Sequence, residues 1–164
     1  MTNPNVCVLN APGINCNIET AEAFKLAGAR TEQVHISQLR SGERRLSNYQ
    51  ILALSGGFSH GDDLGSGRVL GLELRTQLRD QVSEFADIGG VVIGICNGFQ
   101  TLVESSLLTE GKTGLDAPKT ASLIHNKDGG FQCRWSRLRV EQSKCAFAQP
   151  DMLGEIIELP VAHG

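Results

Sequence analysis

The stretch VVIGICNGFQ, residues 91–100, joins an apolar run to a helical pattern through a cysteine that lies between two glycines. Val91 to Ile95 is typical of a buried strand, and a helix is expected to follow through Val103. A Gly-x-Cys-x-Gly turn between strand and helix is typical of a nucleophile elbow in which cysteine replaces serine. The partial positive charge of the helix N-terminus would stabilise a thiolate there. The pattern predicts Cys96 as a nucleophile, and an inert cysteine ending a core strand is the alternative.

Before residue 91, short apolar or alternating runs are separated by helical patterns. The predicted strands are Val6 to Leu9, Thr31 to Ile36 and Ile51 to Leu54. One helix is expected from Ile18 to Ala27, with Asn17 as its N-cap. A second helix is predicted to carry four apolar residues on one face, namely Leu74, Leu78, Val82 and Phe85. Because parallel strands need crossover helices, this alternation predicts an α/β fold with an open, mostly parallel sheet and helices on both faces.

The last third of the chain is less regular. Three further strands are predicted near Ala121 to Ile124, Gln132 to Val140 and Glu155 to Leu159. With 164 residues and 40% hydrophobic content, the chain can bury one sizeable core. We therefore expect residues 1–164 to form a single domain.

Composition excludes several classes of function. The 15 Lys and Arg against 18 Asp and Glu give a net charge of -3, and no segment concentrates positive charge, so nucleic acid is not an expected partner. No apolar stretch is long enough to span a membrane. The five cysteines form an odd set without a Cys-x-x-Cys pair, which argues against both a disulfide framework and a zinc site. A cytoplasmic protein without a metal is expected.

A second glycine-rich segment, SGGFSHGD at residues 55–62, follows the strand that ends at Leu54. Gly56 and Gly57 could place a backbone N–H against an acyl oxygen that becomes negative, although a plain turn is the alternative. Gln100 lies on the first turn after the elbow, where it could hydrogen-bond a small polar substrate. An exposed helical glutamine is the alternative for that residue.

Five motifs occur in order along nearly the whole chain. They are PGINCN at residues 12–17, GGFSHGD at 56–62, GICNGFQ at 94–100, Asn126 with Phe131 and Arg134-Trp135, and PVAHG at 160–164. In this combination the chain resembles the glutaminase components of phosphoribosylformylglycinamidine synthases, which are class I (triad) glutamine amidotransferases. The resemblance implies the flavodoxin-like α/β fold of that class and a role in de novo purine (IMP) biosynthesis.

The resemblance also implies roles for individual residues. Cys96 would attack the side-chain amide of L-glutamine and hold a glutamyl thioester while ammonia departs. The backbone N–H groups of Gly57 and Asn97 would form the oxyanion hole. The residues implied to hold glutamine are Gly56, Gly57, Gln100, Asn126 and Phe131. Ammonia would pass to a synthetase subunit or domain that carries ATP and magnesium, so this chain would need no cofactor of its own.

One part of the family pattern is absent from this sequence. In the family, the histidine corresponding to His163 belongs to a His-Gly-Glu-Gly motif of uncertain role, and the triad histidine and glutamate come from a later His-Pro-Glu motif. Because the sequence ends at Gly164, we expect a domain that is truncated at its C-terminus and that shows little or no turnover alone. Cys16 is expected to be buried beside its loop.

Two other functions fit the same residues. A cysteine hydrolase or deglycase of similar α/β fold would keep the elbow but act on other substrates without a synthetase partner. A non-catalytic interaction subunit would fit the missing C-terminal motif. Strict dependence of ammonia release on glutamine would distinguish the amidotransferase from the hydrolase.

Overall fold

The computed structural model describes residues 3–110 and 115–164, which fall into two compact units. Unit 1 comprises the described residues up to Leu123, and unit 2 comprises Ile124–Gly164. No helix in the described part of the chain is long and apolar enough to cross a lipid bilayer.

Unit 1 contains a four-stranded parallel sheet with the strand order β2-β1-β3-β4. Its strands are β1 (Asn5–Asn10), β2 (Arg30–His35), β3 (Ile51–Leu54) and β4 (Val91–Gly94). Its helices are α1 (Asn17–Leu26), α2 (Ile36–Ser41), α3 (Arg68–Thr76), α4 (Arg79–Asp87), α5 (Asn97–Glu104) and α6 (Leu107–Glu110). Short 3-10 turns span Leu46–Asn48 and Ser59–Asp62. The predicted α/β architecture with a mostly parallel sheet is confirmed.

Apolar residues cover both faces of this sheet because successive strand side chains point in opposite directions. On one face, Leu9 and Leu54 belong to a core cluster that includes Leu74 and Phe85 from α3 and α4. On the other face, Val8 belongs to a smaller cluster with neighbours from β3 and α1. Strands buried on both faces explain the continuous apolar runs in the sequence.

The parallel register brings the carboxyl ends of three strands to one edge of the sheet. Leu9 of β1 pairs with Leu54 of β3, and Leu54 pairs with Gly94 of β4. The loops that follow these strands therefore begin side by side. In open α/β sheets this is the edge where ligands bind, next to the point at which the strand order reverses.

Two details of the helices differ from the prediction. Asn17 is not the N-cap of α1: Cys16 occupies that position, and the Asn17 side-chain amide donates to Gln33 Oε1 of β2 at 2.7 Å. The predicted single helix through Leu74 and Phe85 is two helices, because the chain turns at Leu78 between α3 and α4. Leu78 is fully buried, so the four predicted apolar residues all lie in the core although the helix is interrupted.

The strand predictions near residues 91 and 121 also need correction. The strand predicted from Val91 to Ile95 ends at Gly94 and is half-buried, because β4 is the last strand of the described sheet. No strand forms in the described residues from Ala121 to Ile124, where the Ile124 side chain is largely exposed. A short apolar run forms a strand only where a neighbouring strand pairs with it, and the described residues offer no such partner to residues 121–124.

Unit 2 is built around an antiparallel pair of strands. β5 (Gln132–Arg139) pairs with β6 (Ile156–His163), with Gln132 opposite His163, and a 3-10 turn at Pro150–Met152 lies in the connection. β5 lies within its predicted range, whereas β6 runs four residues beyond the predicted end at Leu159.

Glycine allows α5 to start directly against β3. An ideal Cβ on Gly98 would overlap the carbonyl oxygen of Leu54, and one on Gly94 would lie 2.5 Å from the carbonyl oxygen of Gly98. On the other side of α5, a Cβ on Gly67 would lie 2.5 Å from the backbone nitrogen of Thr101. These contacts fix the helix by backbone packing that any side chain would prevent.

We expect Gly98→Ala to lower the free energy of unfolding by about 2 kcal/mol or more, because the added methyl group must displace α5 from β3. Urea denaturation followed by circular dichroism measures this change. Gly130→Ala is the matched control, since a Cβ there would meet only the Gln132 side chain at 4.0 Å. Equal unfolding free energies for the two variants would contradict the packing argument.

Candidate active site

Cys96 lies between β4 and α5 in a backbone conformation that cysteine rarely adopts. Its φ is 54° and its ψ is -114°. Hydrogen bonds hold the turn on both sides: Ile95 N–H donates to the Leu54 carbonyl at 3.0 Å, and Gly98 N–H donates to the Ile95 carbonyl at 2.9 Å. Such a strained residue persists only where its surroundings over-determine it, and this happens most often at functional sites. The Cys96 side chain is exposed at the carboxyl edge of the sheet.

The loop after β3 is pinned to the loop after β1. Gly57 has a φ of 141° and forms an isolated antiparallel bridge with Ile14. A Cβ on Gly57 would lie 2.7 Å from the carbonyl oxygen of Gly13. An ideal Cβ on Gly56 would lie 3.3 Å from Cys96 Cβ, so the Gly-Gly backbone lies directly beside the thiol.

Two backbone N–H groups near Cys96 have no acceptor within hydrogen-bond distance among residues 3–110 and 115–164. The first is Gly57 N–H, because the bridge to Ile14 uses the N–H groups of Phe58 and Asn15 instead. The second is Asn97 N–H, which belongs to the first turn of α5, where backbone donors lack helical partners. These are the two donors that the family resemblance implies for an oxyanion hole.

The buried side chain of Asn97 connects the elbow to the Gly-Gly loop. Its Oδ1 accepts from Ser59 N–H at 3.0 Å, and its Nδ2 donates to Asp62 Oδ1 at 3.0 Å. Asp62 Oδ1 also accepts from Gly67 N–H, at the start of α3. One amide thereby fixes the segment after Gly57 against the helix that carries Cys96. We call these interactions of Asn97 with Ser59 and Asp62 the Asn97 clamp.

Gln100 and His60 also take part in bonds at this edge. Gln100 Oε1 accepts from Asn97 Nδ2 at 3.0 Å, so its predicted role in binding glutamine would use the other end of the amide. His60 Nε2 lies 2.9 Å from Glu73 Oε2, and Arg40 Nη1 lies 3.4 Å from Glu73 Oε1. The His60 ring is therefore tied to α3.

Two features of the site were missed by sequence reasoning. Cys16 is exposed, so the expectation that it is buried is wrong. A Cβ on Gly56 would lie 3.6 Å from Cys16 Sγ, which places this sulfur next to Cys96. The Asn97 clamp was not predicted, because it joins Asn97 to residues that lie 38 and 35 positions earlier in the sequence. An asparagine directly after the nucleophile is the signal that could have indicated it.

The remaining predicted site residues come together in unit 2. His163 Nδ1 lies 2.9 Å from Asn126 Oδ1, and Asn126 Nδ2 donates to the Gly130 carbonyl at 2.8 Å. Asn126 and His163 line a shallow depression, and the nearby Phe131 is largely exposed. The glutamine-binding roles of Asn126 and Phe131 stay predictions.

No histidine ring among the described residues of unit 1 hydrogen-bonds the Cys96 sulfur. The rings of His35 and His60 contact Ser37 and Glu73 respectively. Within its described residues, unit 1 therefore presents an exposed thiol and two backbone donors, without an imidazole base bonded to the sulfur.

Comparison with known proteins identifies relatives of this chain. The family of CobB/CobQ-like glutamine amidotransferase domains matches residues 3–164. The phosphoribosylformylglycinamidine synthase subunit PurQ of Dehalococcoides mccartyi is 46% identical over 165 residues, which cover 100% of this chain and 62% of the relative. The same subunit of Treponema denticola is 42% identical, with 98% of this chain and 62% of the relative covered.

A solved structure is also similar. "Structure of PurLQS from Thermotoga maritima" matches with a TM-score of 0.78 and 32% sequence identity, and the match covers 99% of this chain and 68% of that chain. The chain thus spans 62% of the length of the two curated relatives above.

We expect Asn97→Ala to lower the free energy of unfolding by about 2 kcal/mol, because Ser59 N–H would be left buried without an acceptor. Chemical denaturation measures the change. Asn48→Ala is the control, since Asn48 is exposed and its loss should change stability by less than about 0.5 kcal/mol. If both variants unfold like the wild type, the Asn97 clamp does not hold the loop.

Proposed function

The chain belongs to the family of CobB/CobQ-like glutamine amidotransferases, and we propose that it hydrolyses L-glutamine to glutamate and ammonia for a phosphoribosylformylglycinamidine synthase. The observation that carries the proposal is the exposed Cys96 thiol on a strained elbow, beside the N–H groups of Gly57 and Asn97, which have no acceptor among the described residues. The product ammonia would serve de novo purine biosynthesis in the cytoplasm.

In the first half of the reaction, the Cys96 thiolate attacks the side-chain carboxamide carbon of glutamine. A C–S bond forms, and the carbonyl oxygen takes up negative charge. The N–H groups of Gly57 and Asn97 donate to this oxygen, and each such donor typically contributes about 3 kcal/mol of transition-state stabilisation. Collapse of the tetrahedral intermediate breaks the C–N bond, and protonated nitrogen leaves as ammonia.

In the second half of the reaction, water attacks the remaining glutamyl thioester and releases glutamate.

The Asn97 clamp supports the first half of the reaction without touching the substrate. It links Ser59 and Asp62, which follow Gly57, to the residue that supplies the second N–H donor. Because the donors are fixed before the reaction, no reorganisation is needed when charge develops on the oxygen. We assign Asn97 two functions, one through its backbone N–H and one through its side chain.

In unit 1, glutamine binding is proposed for Gly56, Gly57 and Gln100. These residues lie at the elbow, and the Gln100 amide nitrogen would face the substrate because its oxygen is bonded to Asn97. Asn126 and Phe131 are the candidates from unit 2. His163 keeps an uncertain role, since its described partner is Asn126.

A synthetase partner completes the proposed activity. The similar Thermotoga maritima structure is one of PurLQS, which supports a synthase partner for this chain. ATP and magnesium would be bound by that partner, where the acceptor is activated. The chain itself would contribute ammonia and use no cofactor.

We also propose that the general acid and base come from outside the described residues of unit 1, because neither His35 nor His60 bonds the Cys96 sulfur. A base is needed to protonate the departing ammonia and to activate water. A non-catalytic interaction subunit is the second candidate, and the same observation favours it.

We expect Cys96→Ala to lower glutamate release at least about 1,000-fold in the protein expressed from its complete reading frame with its synthetase partner, because the thioester cannot form. An assay of glutamate and ammonia formation with glutamine as the only nitrogen source measures this rate. Cys145→Ala should retain the wild-type rate, since Cys145 is an exposed residue of unit 2.

Glutamate release that persists in Cys96→Ala would contradict the proposed nucleophile. Ammonia release from other substrates in the absence of glutamine would favour a cysteine hydrolase or deglycase. No glutamate release by the wild-type protein with its partner would favour the non-catalytic subunit.

A further inference from the structure

Cys16 and Cys96 approach each other across Gly56. Cys16 is the N-cap residue of α1, and Cys96 is the N-cap residue of α5. The helices follow β1 and β4, which are the two neighbours of β3 in the sheet. Gly56 follows β3, so the first turns of both helices converge on this glycine.

The distances around Gly56 place both side chains at one small space. An ideal Cβ on Gly56 would lie 3.3 Å from Cys96 Cβ, 3.7 Å from Cys16 Cβ and 3.6 Å from Cys16 Sγ. A single carbon atom would thus contact both cysteines. The missing Cβ of Gly56 leaves this space open between them. The Cβ atoms of Cys16 and Cys96 are therefore at most 7.0 Å apart. Cysteine pairs that form disulfides have Cβ atoms roughly 3.5–4.5 Å apart, so formation of the bond draws the loop after β1 and the elbow toward each other.

The backbone holds Cys16 in this position. Cys16 N–H donates to the Gly56 carbonyl at 3.2 Å, and Thr20 Oγ1 donates to the Cys16 carbonyl at 2.7 Å. Both sulfurs belong to exposed residues. A small oxidant can therefore reach either sulfur.

We propose that Cys16 is a resolving cysteine that forms a reversible disulfide with Cys96 when the protein meets a peroxide. The Cys96 thiolate attacks a peroxide oxygen, an S–O bond forms, the O–O bond breaks, and hydroxide leaves. The Cys16 thiolate then attacks the Cys96 sulfur, an S–S bond forms, the S–O bond breaks, and a second hydroxide leaves. With the two thiol protons, hydrogen peroxide is reduced to two waters while two thiols are oxidised to one disulfide.

The disulfide has two consequences for Cys96. It prevents further oxidation of the sulfur to sulfinic acid, which most cells cannot reverse. It also removes the nucleophile until a dithiol reduces the bond by exchange. The first consequence does not depend on glutamine chemistry. The second rests on the proposed function, because it predicts reversible loss of glutamate release.

Cys7 is a poor competitor for this reaction. Cys7 is fully buried in the core, and burial, with a smaller effect of Glu32, raises the pKa of its thiol to about 12. It therefore stays protonated and shielded from the oxidant. Cys133 and Cys145 belong to unit 2, which provides a cysteine variant outside unit 1 as a control.

Peptide mapping of the purified protein after treatment with hydrogen peroxide tests the proposal. We expect a mass loss of two hydrogens and a cross-link between tryptic peptides 1–25 and 80–112, which dithiothreitol reverses. Peptide 1–25 contains both Cys7 and Cys16, so fragment ions must place the link at Cys16. This measurement needs no variant and does not depend on activity.

Cys16→Ser and Cys145→Ser complete the experiment. Cys16→Ser should lose the cross-link and accumulate sulfinic acid at Cys96, whereas Cys145→Ser should behave like the wild type. Oxidation of wild-type Cys96 to sulfinic acid without a cross-link, or a link placed at Cys7, would overturn the proposal. Those results would leave the glutaminase proposal unaffected, since that proposal is tested by Cys96→Ala.

Discussion

The close approach of Gly98 to the Leu54 carbonyl is the contact on which the site depends. The first turn of α5 packs directly against the end of β3, closer than a methyl group at position 98 would allow. The strand-to-helix connection is then so short that Cys96 must adopt a φ of 54° and a ψ of -114°. The packing around Cys96 stabilises this strained backbone conformation. The thiol is exposed at the carboxyl edge of the sheet.

Stability and chemistry are coupled at this edge through the Asn97 clamp. The side chain of Asn97 holds the segment that follows Gly57, while its backbone N–H is one of two donors beside Cys96 that lack an acceptor in the described part of the chain. The same loop carries Gly56, whose missing side chain opens the space between Cys96 and Cys16. Loss of one buried amide would therefore disturb the oxyanion donors and the sulfur pair together.

Much of unit 1 could be predicted because its signals are local. The continuous apolar run Ile51–Leu54 became β3 with the predicted bounds, and the glycines around Cys96 indicated the elbow. The loss of the predicted Asn17 cap could not be foreseen, since the Asn17 side chain bonds Gln33 of a different strand. The position of Cys16 could not be foreseen either, since its N–H bonds the carbonyl of Gly56 in a different loop. Such contacts join residues distant in sequence, and periodicity carries no information about them.

The most direct test of the account is to trap the covalent intermediate. The protein from its complete reading frame is mixed with glutamine, quenched in acid and digested, and peptide 80–112 is analysed by mass spectrometry. The account predicts that this peptide gains the mass of glutamine less ammonia, with fragment ions that place the glutamyl group on Cys96. Glutamate formation with the glutamyl group on a different residue would contradict it.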